Sequence, residues 1–293
     1  MDLSIIILNY KQKGLLKQCL KGIVMAQPEL TYEIIVIDNH SEDGSLAMVE
    51  TMFLPEAETN TSQPMLPIAK PLVIPPIKTI AALANDGFAA GNNLGIKAAK
   101  GKYLMILNPD IALVPGTLEK MIVYLEENSK VGVLGPKLIN PDGNVQDSCR
   151  RFPSLLTPLY RRTVFGKFPI SKNPISHYLM KDFNHNQIIE VDWLFGACLL
   201  FRKSVLAKIG LFDERFFMYF EDLDICRRIW KAGYQVIYFP LVELVHYHQR
   251  LSAERGGIFG LFNHGGRIHF LSGLKYFAKY LGAKLPNRQA GQN

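Results

Sequence analysis

Residues 3–10, Leu-Ser-Ile-Ile-Ile-Leu-Asn-Tyr, decide the reading of the fold. Six residues, only Ser4 polar, are too few for an ordinary helix and offer no solvent face. That is the pattern of a strand covered on both sides in a parallel sheet. The run closes on polar Asn9-Tyr10. Immediately outward, Leu15, Leu16, Cys19, Leu20, Ile23 and Val24 fall at helical spacing, and Glu33-Ile-Ile-Val-Ile37 repeats the buried-strand pattern. Strand, helix and strand in this order make a βαβ unit.

The second strand closes on Asp38-Asn39, and Ser41-Glu-Asp-Gly-Ser45 is a turn and cap cluster leading into a helix near residues 45–53. Residues 54–79, rich in Pro, Thr and Ser, read as an irregular surface excursion. Tyr103-Leu-Met-Ile-Leu107 is another buried strand; it runs into Asn108-Pro109-Asp110 and then a helix with Leu118, Met121, Ile122 and Leu125 on one face. Further strands are expected at 131–135, 198–201 and 235–239, with a helix over 222–232 stopped by Gly233; the last strand leads to His246 and His248. From Gly256 the chain alternates apolar and basic residues, and Leu271, Leu274, Phe277 and Leu281 suit an amphipathic helix lying on a membrane or on the protein body. The organisation expected is α/β: a domain over residues 1–250 with a predominantly parallel sheet flanked by helices, then a basic amphipathic C-terminal segment, 251–293.

Bulk properties restrict the reading. With 293 residues, 48% hydrophobic and 20% charged, the chain can bury a large core. It contains no run of about 18 uncharged apolar residues, the length a membrane-crossing helix needs. It enters its first strand at Leu3 without a basic stretch and cleavage site, so a cytoplasmic protein is expected. Cys19, Cys149, Cys198 and Cys226 stand far apart, which suits free thiols in the core better than a zinc site. The net charge of +7 is segregated: residues 150–181 hold seven Lys/Arg and no Asp/Glu, and residues 250–293 hold seven Lys/Arg and one Glu. Either these stretches are solvated surface, or they attract an anionic membrane surface or a diphosphate. Nucleic acid is disfavoured, since no recognition helix or RNA-binding aromatic pattern is present.

Three strands thus close on polar clusters, at Asp38, at Asp110 and at His246/His248, and ligands of open α/β sheets sit at the carboxyl ends of strands. Asp38 suits a nucleotide base or ribose, and equally a helix cap. Neither a dinucleotide fingerprint nor a P-loop is present to cradle phosphates. A divalent cation, Mg²⁺ or Mn²⁺, can fill that role, with Asp110 as ligand; an imidazole from His246 or His248 would favour Mn²⁺. The histidines equally suit hydrogen bonds in the core. Glu221 and Asp222 suit the first turn of a helix, where carboxylates meet the positive end of its dipole. Trp193, beside Gly196, suits the core or a sugar face.

In series these stretches resemble a known pattern: Ile-Ile-Ile-Leu-Asn-Tyr; Val-Ile-Asp-Asn-x-Ser-x-Asp-Gly-Ser; Asn85-x-Gly-Phe-Ala-Ala-Gly-Asn-Asn-x-Gly; Leu-Asn-Pro-Asp; Asp192-Trp-Leu-Phe-Gly196; and Phe212 through Glu221-Asp222-Leu-Asp224 to the histidines. Over roughly residues 1–255 the chain resembles the family 2 glycosyltransferases with the GT-A fold, in particular the bacterial rhamnosyltransferase-like branch. The resemblance implies that Asp38 holds a uracil or thymine base, with Asn9, Tyr10, Asn39, Gly87, Phe88, Asn93 and Asn108 on the donor side. It implies that Asp110 is the last carboxylate of a metal motif reading Asp-x-Asp in relatives, here lacking its first acid. Asp222 would be the general base of an inverting transfer, with Glu221 the other candidate, and Trp193 and Gly196 would face the acceptor. The partners implied are a dTDP- or UDP-sugar, dTDP-rhamnose first, and a glycan or polyprenyl-diphosphate-linked acceptor at the inner face of the cell membrane. Two rivals stand beside this reading. A sugar-nucleotide pyrophosphorylase needs a glycine-rich basic loop after the first strand, for which Lys11-Gln-Lys13-Gly14 is thin; an inert peripheral membrane protein of the same fold needs only the fold.

Overall fold

Seven residues of the opening run form β1 (Leu3–Asn9), and only Leu8 among them is more than marginally accessible. A computed structural model of the protein describes residues 1–52, 73–162, 168–247 and 264–286. In chain order β1 is followed by α1 (Lys13–Ala26), β2 (Tyr32–Asp38), α2 (Ser45–Met52), β3 (Ile77–Ala81), α3 (Gly87–Ala98), β4 (Tyr103–Leu107), β5 (Ile111–Ala112), α4 (Thr117–Glu127) and β6 (Val131–Ile139). Then come β7 (Cys149–Arg150), α5 (Thr157–Arg162), α6 (Pro169–Tyr178), β8 (Ile189–Glu190), β9 (Trp193–Leu194), β10 (Cys198–Arg202), α7 (Lys203–Ile209), α8 (Glu221–Lys231), β11 (Gln235–His246) and α9 (His264–Lys279).

The main sheet runs β3-β2-β1-β4-β10-β6-β11-β5, with β8 paired to β11; β7 and β9 form a separate two-stranded ribbon. Strands β3, β2, β1, β4, β6 and β11 point one way, and β10 is inserted antiparallel between β4 and β6. The expected predominantly parallel α/β architecture is therefore present, with one reversed central strand. Alternation along β1 explains the layers. Leu3, Ile5 and Ile7 join Leu16, Leu20 and Ile23 of α1 and Leu118, Met121 and Leu125 of α4 in one core; Ile6 faces the other way, into a core with Ile96 of α3, Leu206 of α7 and Ile225 of α8.

Two local features correct the sequence reading. The excursion expected over 54–79 stops short of 79, because β3 begins at Ile77; residues 53–72 lie outside the described residues. As an edge strand β3 is only partly buried, so it carries no continuous apolar run. The glycine-rich stretch after Asn85 is helix α3, packed so close to the sheet that a Cβ on Gly91 would lie 2.4 Å from a Leu8 methyl. Part of the segment assigned to 251–293 is docked on the body: Tyr276 of α9 is buried, and a Cβ on Gly273 would meet the Phe220 ring at 3.2 Å. All four cysteines are buried and free.

Candidate active site

Register brings the polar strand ends together. Asn9 pairs with Asp38 across β1 and β2, and its side-chain amide donates to Asp38 Oδ1 at 2.9 Å and to Ser45 Oγ at 3.0 Å. The backbone N–H of Ser41 donates to Asp38 Oδ2 at 2.9 Å. Asp38 does belong to a turn, and each of its oxygens keeps a further lone pair for a ligand. On the other flank of β1, Ile7 pairs with Leu107, so Asn9 adjoins the Asn108-Pro109-Asp110 corner. The N–H of Asn108 then donates to Ala197 O at 2.8 Å, and the N–H of Gly196 donates to Asp222 Oδ2 at 3.1 Å. Strand pairing and these hydrogen bonds therefore bring Asp38, Asn9, the Asn108 corner, Ala197 with Gly196, and Asp222 to one end of the sheet.

Asp110 meets His246 through an antiparallel ladder: His246 pairs with Ile111, and the N–H of Tyr247 donates to Asp110 O at 2.9 Å. This sets Asp110 Oδ1 3.3 Å from His246 Nε2, both groups buried. Gln146 fixes the imidazole. Its amide nitrogen donates to His246 O at 3.0 Å and Asn140 Oδ1 at 2.7 Å, so its oxygen faces His246 Nδ1 at 2.8 Å, and that nitrogen must carry the proton. The other ring nitrogen, Nε2, faces Asp110 Oδ1. A carboxylate beside an imidazole whose far nitrogen is already held suits a divalent cation, as the donor chemistry requires. Among the described residues no group of three or more His, Cys, Asp or Glu converges on one point. His248 lies outside the described residues.

The carboxylate pair opens α8. Asp222 Oδ1 accepts the N–H of Leu223 at 2.8 Å while Oδ2 accepts that of Gly196. Burial pushes the Asp222 carboxyl up to about 6, against the pull of those two donors and of the Arg150 charge. Glu221 is raised well above the ordinary carboxylate range, first by burial and then by the charge on Asp222, and its Oε2 is buried without a hydrogen-bond partner. Tyr219 and Phe220 precede the pair in left-handed backbone, φ +69° and +70°, a conformation that neighbouring structure must enforce. Here α9 enforces it: Ser272 Oγ donates to Met218 O at 2.9 Å, and His269 lies 5.1 Å from both the Tyr219 and Phe220 rings.

The remaining expected residues take different positions. Asn39 donates to Asn85 Oδ1 at 2.7 Å, and Gly87 (φ +89°) is pressed so tightly on Phe217 that a Cβ would lie 2.0 Å from its carbonyl oxygen. Phe88 donates its N–H to that same carbonyl, and Tyr10 is exposed with Lys11 over its ring. Asn93 spends its amide on Phe212 and Glu214, so it pins the loop before α8 instead of reaching towards a ligand. Trp193 is corrected to a supporting position: its indole N–H donates to Arg151 O at 2.9 Å and Arg150 lies over its ring at 5.0 Å, leaving 5% of it exposed. Gln146, Asn85 and Arg150 are site residues that the sequence reading missed. Gln146 acts 100 positions away from His246, with no local signal, whereas Arg150 opens the segregated basic stretch. A cavity of about 550 Å³ lined by Lys130, Glu190, Trp230 and Gln235 lies at the amino ends of β6 and β11 and holds none of these groups.

Comparison with known proteins agrees with this arrangement. Residues 4–210 match the family described as Glycosyl transferase family 2. The chain is 28% identical over 256 residues to the N-acetylglucosaminyl-diphospho-decaprenol L-rhamnosyltransferase of Mycobacterium tuberculosis, covering 84% of this chain and 76% of that protein. It is 29% identical over 201 residues to the rhamnosyltransferase WbbL of Escherichia coli, covering 66% of this chain and 70% of the other. Among solved structures, GalNAc-T7 with UDP, GalNAc and Mn²⁺ is similar at TM-score 0.58 and 14% identity, over 85% of this chain and 44% of that one. Residues 1–349 of S. aureus TarS are similar at TM-score 0.53 and 15% identity, over 84% of this chain and 60% of that one. The chain thus spans less than two thirds of either solved chain, and these two likenesses concern the fold. By its matched residues, its relatives and its GT-A architecture, the chain belongs to glycosyl transferase family 2, in the rhamnosyltransferase-like branch.

Proposed function

We propose that this chain transfers rhamnose from a nucleoside diphosphate, dTDP first, to a hydroxyl of a lipid-linked glycan, with inversion at the anomeric carbon, during assembly of a surface polysaccharide. The relative from M. tuberculosis is named for rhamnosyl transfer to a diphospho-decaprenol-linked sugar, and the E. coli relative is named a rhamnosyltransferase. The observation that carries the reading is the tether of Asp222 through Gly196 to the strand ends that hold Asp38 and Asp110.

Asp38 is suited to accept the N3–H of a thymine or uracil ring, an imide donor that a carboxylate with spare lone pairs recognises. Asp110 and His246 would hold the divalent cation, whose charge would offset that gathering on the departing diphosphate. Asp222 is the base. As the acceptor oxygen bonds to the anomeric carbon, its proton passes to the Asp222 carboxylate, and the bond from that carbon to the phosphate oxygen breaks on the opposite side. One displacement inverts the centre, and the nucleoside diphosphate leaves with the bonding electrons. Burial and the neighbouring Asp222 charge raise Glu221, whereas Asp222, at about 6, ionises near neutrality.

The test is incubation with dTDP-rhamnose and a panel of UDP-sugars, with and without Mn²⁺, scored by nucleoside diphosphate release and by the anomeric configuration of the product. Retained configuration, or exchange of pyrophosphate with a nucleoside triphosphate, would contradict the proposal. No release from any donor would support the inert reading of the fold.

A further inference from the structure

Helix α9 is apolar on two sides. Its inward face carries Ser272, Gly273, Tyr276 and, just beyond its end, Tyr280, all buried or in close contact with the body. Its outward face carries Phe270, Leu271 and Leu274, continued by Leu281 and Leu285, each at least half exposed and Leu281 at 85%. A helix resting on a water-facing body keeps a polar outward face beside its apolar inward one. Phe270, Leu271 and Leu274 lie on α9 itself, and Leu281 and Leu285 follow in the turn and extended chain after it.

The charges beside the stripe have one sign. Arg267, Lys275 and Lys284 are exposed, and residues 264–286 contain no Asp or Glu. A second copy of this face would set cations against cations across a two-fold axis. A surface that offers apolar insertion and negative charge together is an anionic bilayer. Among the described residues no helix is long and apolar enough to cross a membrane, so α9 would lie in the interface plane.

We infer that the outward apolar residues of α9, with the cations beside them, form the face by which the protein docks on an anionic lipid membrane. The inward face of the same helix braces Met218 and Phe220, directly before Glu221 and Asp222. Docking therefore sets the carboxylate pair at the level of the headgroups. This second step rests on the lipid-linked acceptor proposed above; the docking itself does not.

Flotation of the full chain with vesicles tests the inference, comparing phosphatidylcholine alone with phosphatidylcholine containing about 30% phosphatidylglycerol. The protein is expected to float with the anionic vesicles, to float weakly with neutral ones, and to be released as salt rises. The pair Leu271→Asp and Leu274→Asp is expected to lower partitioning at least about tenfold, since two leucines lose their apolar burial. Thermal unfolding and nucleotide binding should be unchanged. If the pair fails to fold, Leu281→Asp, beyond the end of α9, replaces it with the same expected direction. Equal flotation of variant and wild type, no preference for anionic vesicles, or a variant effect traced by light scattering to loss of an oligomer would each overturn the inference. Intact flotation with no nucleotide binding would instead fault the transferase reading and leave the docking face standing.

Discussion

Replacing Asp222 by Asn keeps the shape of the side chain and removes its ability to take a proton, so it separates catalysis from architecture. The folded Asp222 titrates near 6 where an ordinary Asp titrates near 3.8. A raised carboxyl favours the protonated folded chain, so its penalty is absent below about pH 4, grows through the interval up to about 6, and is constant above. At about 1.4 kcal/mol per pH unit this amounts to roughly 3 kcal/mol at pH 8. The amide in the Asp222→Asn variant is free of that penalty, but its single oxygen cannot serve both the Gly196 and the Leu223 N–H, which costs about 1–3 kcal/mol at every pH. The wild-type penalty is about 1 kcal/mol at pH 4.5, so Asp222→Asn should be neutral to about 2 kcal/mol destabilising there and neutral to about 2 kcal/mol stabilising at pH 8, a swing of about 2 kcal/mol that urea denaturation at the two values reads. Transfer should fall by about 10²–10⁴ with donor affinity kept. In the wild type kcat/KM should climb with pH and level off above about 6. A flat profile between pH 5 and 8, or a variant with more than a tenth of normal turnover, would refute the assignment of the base.

Four further outcomes follow from named contacts. Asp110→Asn should abolish the Mn²⁺-dependent part of the thermal stabilisation by dTDP or UDP, which for the wild type at a hundred times Kd is about 2.7 kcal/mol; equal stabilisation would remove Asp110 from the metal. Gln146→Leu should lower Mn²⁺ affinity about 10–100-fold, read by titration calorimetry, because His246 loses the partner that fixes its tautomer. Gly87→Ala should lose at least about 2 kcal/mol in urea, since a Cβ there meets the Phe217 carbonyl at 2.0 Å in left-handed backbone. Lys279→Met should cost about 1–3 kcal/mol by removing a 2.5 Å partner of fully buried Asp224, and should lower kcat more than it raises the donor KM, because α9 braces the loop before Asp222.

How much of this was legible depends on whether the signal was local. The run at Leu3–Leu8 could satisfy its burial only inside a parallel sheet, and it took its place there. The closures at Asp38 and Asp110 follow directly from strand ends, so their convergence could be anticipated from topology. Edge strand β3 was missed because one open side leaves it without an apolar run. Gln146 was missed because its meaning comes only from His246, a partner on another strand. Trp193 was legible as buried or stacking, and the decision fell to Arg150, whose position over the ring depends on the β7–β9 ribbon. The apolar periodicity of α9 was readable, but which way it faced was decided by Gly273 and Ser272, small residues that let the helix approach Phe220 on its polar side.

The missing first acid of the metal motif has a structural counterpart in β11. That strand runs twelve residues, beyond its pairing with β6, far enough to pair His246 with Ile111 and so to deliver an imidazole to Asp110. Asn108, at the first position of that motif, donates its backbone N–H to Ala197 and so ties β4 to the strand that follows Gly196. One carboxylate and one nitrogen make a less negative site than two carboxylates, which weakens the hold on Mg²⁺, a cation that prefers oxygen, more than the hold on Mn²⁺. It also leaves more of the cation's charge for the diphosphate it is proposed to meet. On the proposed reading Asn108-Pro109-Asp110 would change which ion serves and how tightly, while Asp222, the proposed base, is held by the N–H groups of Gly196 and Leu223, contacts independent of any metal.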